Sequence, residues 1–215
     1  PTDPIMKRRK RKPLLVQVLH ADADLLVIDK PPGLVCVPGQ RARSVREALE
    51  AQGILPEDDE LRPVHRIDRH ASGVVVYARN IDAQRKLTAQ FVSRTVEKVY
   101  LALAKGHVLS TGEVDLPLKT DKSHRRVVVA GQDGKPSLTR YLVMERLAGH
   151  TLLECRPRTG RLHQIRVHLS AIGHPLGVDP LYGGDKEICL SHYKAGYRPD
   201  ARRGERPLIR RLTLH

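Results

Sequence analysis

The segment VEKVYLALA, residues 96–104, alternates along its whole length. Val99, Leu101 and Leu103 fall on one face by a period of two, while Lys98, Tyr100, Ala102 and Ala104 fall on the other. That is the pattern of a β-strand, and its second face is small except for Lys98 and Tyr100. Outward from it, strand-like runs dominate. GVVVYAR (73–79) is the most β-branched stretch, and LLVQVL (14–19) and LLVID (25–29) read as two strands around the turn HADAD. Residues 126–130, 138–145 and 151–155 read as further strands. Helix signals are fewer. Ser44-Val-Arg-Glu47 has the spacing of a capping box and predicts a short helix through Ala51. Asn80 is the predicted cap of a helix that runs to about Val92. Apolar residues at 162, 165, 169 and 172 predict an amphipathic helix closed by Gly173. Strands outnumber helices without alternating with them, so the class expected is α+β with a largely antiparallel sheet.

The chain has 215 residues, of which 40% are hydrophobic and 29% charged. That is enough for one substantial domain or two small ones, and it argues against wholesale disorder. No apolar run approaches the roughly 20 residues of a membrane helix, and LLVQVL is too short for a signal-peptide core. Cys36, Cys155 and Cys189 are far apart and odd in number, which excludes a disulfide framework and a CxxC metal clip. A reducing, cytoplasmic setting is expected.

The net charge is +14 and is concentrated at the ends. Residues 1–20 hold six bases against Asp3, and residues 191–215 hold seven against Asp200 and Glu205. The residues between them are nearly balanced. Residues 1–13 read as a flexible basic tail, and 57–60 as an exposed acidic loop. A polyanion is the expected partner, because neutralised phosphates release counterions. No amphipathic apolar face accompanies the basic run, which argues against a membrane surface. With no Trp and one Phe, the chain also lacks the aromatic platform of base-stacking RNA readers, so charge and shape must do the holding.

Two segments are dense in chemistry. In His65-Arg66-Ile67-Asp68-Arg69-His70-Ala71-Ser72-Gly73 one carboxylate sits among two arginines and two histidines, just before a hydrophobic strand. Arginine beside a carboxylate favours the ionised form and fixes its direction. Such an Asp suits a nucleophile, a base or a stabilising charge; a structural ion pair where the strand begins is the alternative. In Arg156-Pro-Arg-Thr-Gly-Arg-Leu-His-Gln-Ile-Arg166-Val-His168 four arginines surround a Thr-Gly turn at a predicted helix start, a setting for phosphate or simply a solvated basic face. His163 and His168 are spaced wrongly for a zinc pair, and no Gly-rich phosphate loop is present.

Together these stretches resemble the RluA-type pseudouridine synthases. His-Arg-Ile-Asp-Arg-x-x-Ser-Gly is similar to the signature around that family's catalytic aspartate. LLVIDKPPGLVCVPG (25–39), RTVEKVYLALAKG (94–106), GKPSLTRYLV (134–143) and RPRTGRLHQIRVHLSAIGHPLGVDPLYGG (156–184) resemble its other blocks in the same order. The resemblance implies the pseudouridine synthase fold: a largely antiparallel mixed sheet flanked by helices and loops, with a central cleft, here over residues 14–215. It implies isomerisation of uridine in structured RNA, ribosomal or transfer RNA stem-loops, by a monomer with no cofactor, metal or membrane. Asp68 takes the catalytic position, Tyr100 packs on the flipped base and helps remove the C5 proton, and Arg166 pairs with Asp68. Arg66, Arg69, Lys30, Arg161, His163 and Gln164 are the expected RNA contacts.

The sequence departs from the family in three places. Ala71 stands where Thr is usual, Leu-Gly-Val-Asp-Pro (176–180) changes the usual order, and the chain stops at RPLIRRLTLH, which predicts either a fragment or a missing or rearranged end of the sheet. Two rival classes are an inactive RNA-binding module and a phosphodiesterase or nuclease using His65 and His70.

Overall fold

The computed structural model describes residues 14–39, 42–56, 59–200 and 204–215. The expected basic tail over 1–13 lies outside the described residues, as does half of the expected acidic loop, Glu57 and Asp58.

Period-two burial builds the first sheet. In strand β2 (Leu25–Lys30) every second residue is buried, and it pairs antiparallel with β1 (Gln17–Ala21) on one side and β4 (Gly73–Ala78) on the other. Strand β3 (Arg62–Pro63) closes the order β1-β2-β4-β3. Leu26 and Ile28 of β2 and Val75 and Tyr77 of β4 form one core with Leu34 and with Val45, Ala48 and Leu49 of helix α1 (Val45–Glu50). Helix α1 starts at the expected capping box: Ser44 Oγ accepts from the Glu47 amide at 3.2 Å, and the Ser44 amide donates to Glu47 Oε2 at 2.6 Å. Helix α2 (Ile81–Val92) likewise starts at its expected cap, with the Ala83 amide donating to Asn80 Oδ1 at 2.8 Å.

The second sheet has the order β5-β10-β9-β6, from β5 (Tyr100–Lys105), β6 (Gly112–Asp115), β9 (Leu138–Leu147) and β10 (His150–Pro157). Strands β7 (Leu118–Asp121) and β8 (Arg126–Val129) form a separate hairpin. All pairings between named strands are antiparallel, so the α+β class holds with two sheets in place of one. Strand β5 begins at Tyr100, later than the alternation suggested, and its small face is the inner one. Ala102 and Ala104 are fully buried beside Ile165 and Leu169, whereas Leu101 stays 43% exposed.

Helix α3 (Gln164–Ala171) corrects the amphipathic reading. Residues 164–169 are all buried, because the helix runs between the second sheet and the β7–β8 hairpin. Its polar residues are met internally: His168 lies 3.0 Å from both Thr139 Oγ1 and the Leu116 carbonyl. Gly173 closes the helix as expected, at φ +84°. The last residues lie along the free edge of β5. The Leu101 amide donates to the His215 carbonyl at 2.7 Å and the Leu103 amide to Thr213 at 3.1 Å, while the Ser72 amide, next to β4, donates to Leu214 at 3.2 Å. The two sheets are thereby tied together. No helix among the described residues is long and apolar enough to cross a membrane.

Candidate active site

Between β3 and β4 the segment carrying Asp68 crosses the floor of a cleft of about 600 Å³. Tyr100 enters it from the start of β5, Arg166 from the first turns of α3, and residues 157–163 form a wall. Asp68 is the sole carboxylate among the described residues that line this cleft. Arg66, Arg94, Lys98, Arg158, Arg161 and Arg166 line it too, so its field is strongly positive.

Arg166 meets Asp68 as expected, its Nη1 donating to Asp68 Oδ2 at 3.2 Å. Its stronger attachment is to a residue the sequence reading missed. Nε and Nη2 donate to the two oxygens of Asp179 at 2.7 and 2.8 Å, a bidentate fork in which Asp179 is 1% exposed. The guanidinium also lies 4.9 Å from the centre of the Tyr182 ring. A signal existed: a buried arginine with one carboxylate on Nη1 still has a second donor edge to satisfy, and Asp179 lies in the last motif.

Burial, then the charge of Asp68, pushes the Tyr100 hydroxyl up to about 12, so Tyr100 is a neutral phenol at physiological pH. His163 sits at the N-terminal boundary of α3 with φ 53°, a left-handed conformation uncommon for a side-chain-bearing residue, and its ring faces the cleft in place of capping the helix. Its Nε2 is 4.0 Å from Asp68 Oδ2. Arg66 is exposed on the rim. Arg161 lines the wall with Nε donating to the Pro136 carbonyl at 3.3 Å.

Two expected RNA contacts, Arg69 and Lys30, lie outside the cleft lining, and a third, Gln164, lines it with its amide already committed. Gln164 is 4% exposed, and both ends of its amide are used: Nε2 donates to Leu138 O and Thr139 Oγ1, while Oε1 accepts from Thr159 Oγ1 and the Arg161 amide. It shapes the 159–161 turn. Arg69 is exposed outside the cleft lining, its Nε donating to the Gly33 carbonyl at 3.1 Å. Lys30 is fully buried. It follows Leu26 and Ile28 on the inner face of β2 by the same period of two. Its Nζ donates to the carbonyls of Pro31, Leu34, Arg69 and Ala71 at 2.8 to 3.2 Å. Burial lowers its pKa to about 8, and nearby charges, Asp68 and Asp29 among them, oppose that shift. Lys30 therefore braces the segment that carries Asp68. Lys30→Met should lower stability by about 3 kcal/mol in urea unfolding, because those carbonyls lose their donor, while the folded fraction binds RNA as before.

The paired-histidine chemistry of the phosphodiesterase reading is not assembled. His65 Nε2 accepts the Val76 amide at 2.9 Å, its ring stacks on Phe91 at 4.6 Å, and burial brings its pKa to about 4. His70 is not among the residues lining the cleft. Among the described residues no group of three His, Cys, Asp or Glu side chains is placed to hold a metal ion.

An arginine-held carboxylate thus lies on the floor of a cationic cleft, in a two-sheet α+β frame. Comparison with known proteins places the chain in a family. Residues 24–171 match the RNA pseudouridylate synthase family. Ribosomal large subunit pseudouridine synthase D of Nitrosomonas europaea is 42% identical over 171 residues, covering 78% of this chain and 50% of that protein. The protein of the same name from Xanthomonas campestris is 40% identical over 175 residues, covering 79% and 52%. Among solved structures, human RNA pseudouridylate synthase domain containing 1 superposes with a TM-score of 0.72 at 26% identity, covering 95% of this chain and 78% of that one. The chain belongs to the RNA pseudouridylate synthase family, as its RluA-type motifs implied. It spans about half the length of the curated relatives it matches.

Proposed function

We propose that this chain is an RNA pseudouridine synthase that isomerises specific uridines in structured RNA, with Asp68 as its catalytic carboxylate. The observation that carries this reading is the isolation of Asp68: among the described residues lining the cleft it is the one acid, aimed by Arg166, beside six cations. Ribosomal RNA is the favoured substrate, because the relatives are named for the large ribosomal subunit; transfer RNA is the second candidate. Three free, buried cysteines fit a reducing cytoplasm.

The reaction breaks the N-glycosidic bond, turns the uracil and joins its C5 to C1′. The C5 proton leaves and N1 gains one, so no electrons are exchanged. Asp68 either adds to the ribose or removes a proton from C2′. Arg166 holds the carboxylate in place, and the rim arginines, Arg66 and Arg161 among them, take the flanking phosphates. The target nucleotide has to leave its stack, at a cost of a few kcal/mol that these contacts offset.

Tyr100 supplies a ring for the uracil and a hydroxyl near C5. As a neutral phenol it passes the C5 proton on to water, giving up its own hydroxyl proton as it takes the new one, so no charge builds up on it. Tyr100→Phe should keep RNA affinity and slow the C5 proton step about 100-fold under single-turnover conditions.

Tritium release from C5-labelled uridine in ribosomal RNA fragments tests the proposal, because only isomerisation exchanges that hydrogen. Tight binding of the same RNA without release would make the chain an inactive RNA-binding module.

A further inference from the structure

His163 is placed by contacts that a mere RNA-facing histidine does not need. The Val127 amide donates to Tyr182 Oη at 2.9 Å, which occupies an acceptor position of the phenol. Tyr182 Oη lies 2.7 Å from His163 Nδ1, with the rings edge to face at 82°. The arrangement that satisfies every atom has the Tyr182 hydroxyl donating to Nδ1. The imidazole proton then resides on Nε2, the nitrogen 4.0 Å from Asp68 Oδ2. The backbone is held left-handed at His163 to present the ring this way.

Resting on the functional reading above, we propose that His163 is a positioning residue for Asp68. Tyr182 fixes it as a neutral Nε2–H donor, and it closes on the Asp68 carboxylate when RNA fills the cleft. A gap of 4.0 Å in the empty site is compatible with this, since catalytic hydrogen bonds commonly shorten on substrate binding. Arg166 already holds Oδ2 from one side, and His163 is a second donor toward the same oxygen. The charged groups acting on the ring are Asp68 and Asp179, which favour its protonation, and Arg166 and Arg66, which oppose it. Burial outweighs each of them and keeps the imidazole neutral. A neutral donor orients the carboxylate without neutralising it, as a full imidazolium would.

The test has two parts. Nitrogen NMR of the ring reports the tautomer without any reaction: His163 should show the Nε2–H form at neutral pH, and Tyr182→Phe should show a mixture. A His163 found as Nδ1–H, or a mixture in the unaltered protein, overturns the relay. In single-turnover tritium release at saturating RNA, His163→Leu should react about tenfold more slowly, the worth of one hydrogen bond to a charged group, with Kd for RNA within about twofold. His163→Gln, which can still present an N–H, should recover most of the rate. Tyr182→Phe keeps the ring over Arg166 and frees Nδ1, so the acidic limb of its pH–rate profile should move up by about one unit. Should Tyr182→Phe not fold, the two His163 variants decide. A wild-type rate in His163→Leu, or a loss confined to Kd, overturns the proposal and leaves the functional reading intact. No tritium release by the unaltered protein, with the Nε2–H tautomer observed, overturns the functional reading and the positioning role that rests on it.

Discussion

Asp68→Asn should reduce pseudouridine formation by at least about 1,000-fold while RNA binding persists. The substitution is nearly isosteric. Its remaining carbonyl oxygen can still accept from Arg166 Nη1, which reaches Asp68 Oδ2 at 3.2 Å in the native protein, so the floor of the cleft keeps its shape. What disappears is the one negative charge among the described residues lining the cleft. Both chemical routes need it, whether the carboxylate adds to the ribose or takes the C2′ proton. Affinity for RNA should hold or rise, since the cleft becomes more positive. Single-turnover tritium release beside a filter-binding curve separates the two effects. A variant within tenfold of the native rate would remove Asp68 from the chemistry.

Arg166→Met should cost about 3–5 kcal/mol of stability and eliminate turnover. The side chain is 8% exposed and serves two carboxylates at once, so its loss strands both Asp68 and Asp179. Methionine fills much the same volume, which keeps a cavity from confounding the result. If stranded charge is the cause, removing one of the two acids should recover part of the loss, so Arg166→Met with Asp179→Asn should be more stable than Arg166→Met alone. Urea unfolding of the native protein and both variants measures this. An equal deficit in the two variants would mean that the cost lies in packing and not in stranded charge.

Local signals were legible and distant partnerships were not. Ser44 with Glu47, and Asn80 with Ala83, are caps whose partners lie three residues away, and both helices start where those residues say. Lys30 was legible too, in that the period placing Ile28 inside places Lys30 inside, but a lysine invites a surface reading. Apolar spacing located helix α3 and its Gly173 end but not its burial on all sides, because its inward-facing set includes Gln164, Arg166 and His168, whose polar atoms are satisfied by β9, Asp179 and the segment before β7. Asp68 and Arg166 stood out in dense motifs, yet 98 residues separate them, and only the family resemblance joined them. Asp179 and Tyr182 lie in the last motif, but nothing beside them in sequence assigns their roles, which arise from what the buried arginine and His163 need.

The bracing of the Asp68 segment by Lys30 has a bearing on selectivity. With Arg69 and Ala71 tethered through their carbonyls to a buried ammonium, and the Gly33 amide donating to the Arg69 carbonyl at 2.7 Å, the floor of the cleft is not a lid that travels to its target. Under the proposed reaction, apart from the short closure of His163, the deformation then falls on the nucleic acid. Uridines in hairpin loops, bulges and mismatched sites pay the least for leaving their neighbours, so a rigid enzyme floor sorts them by how easily the surrounding RNA lets them go.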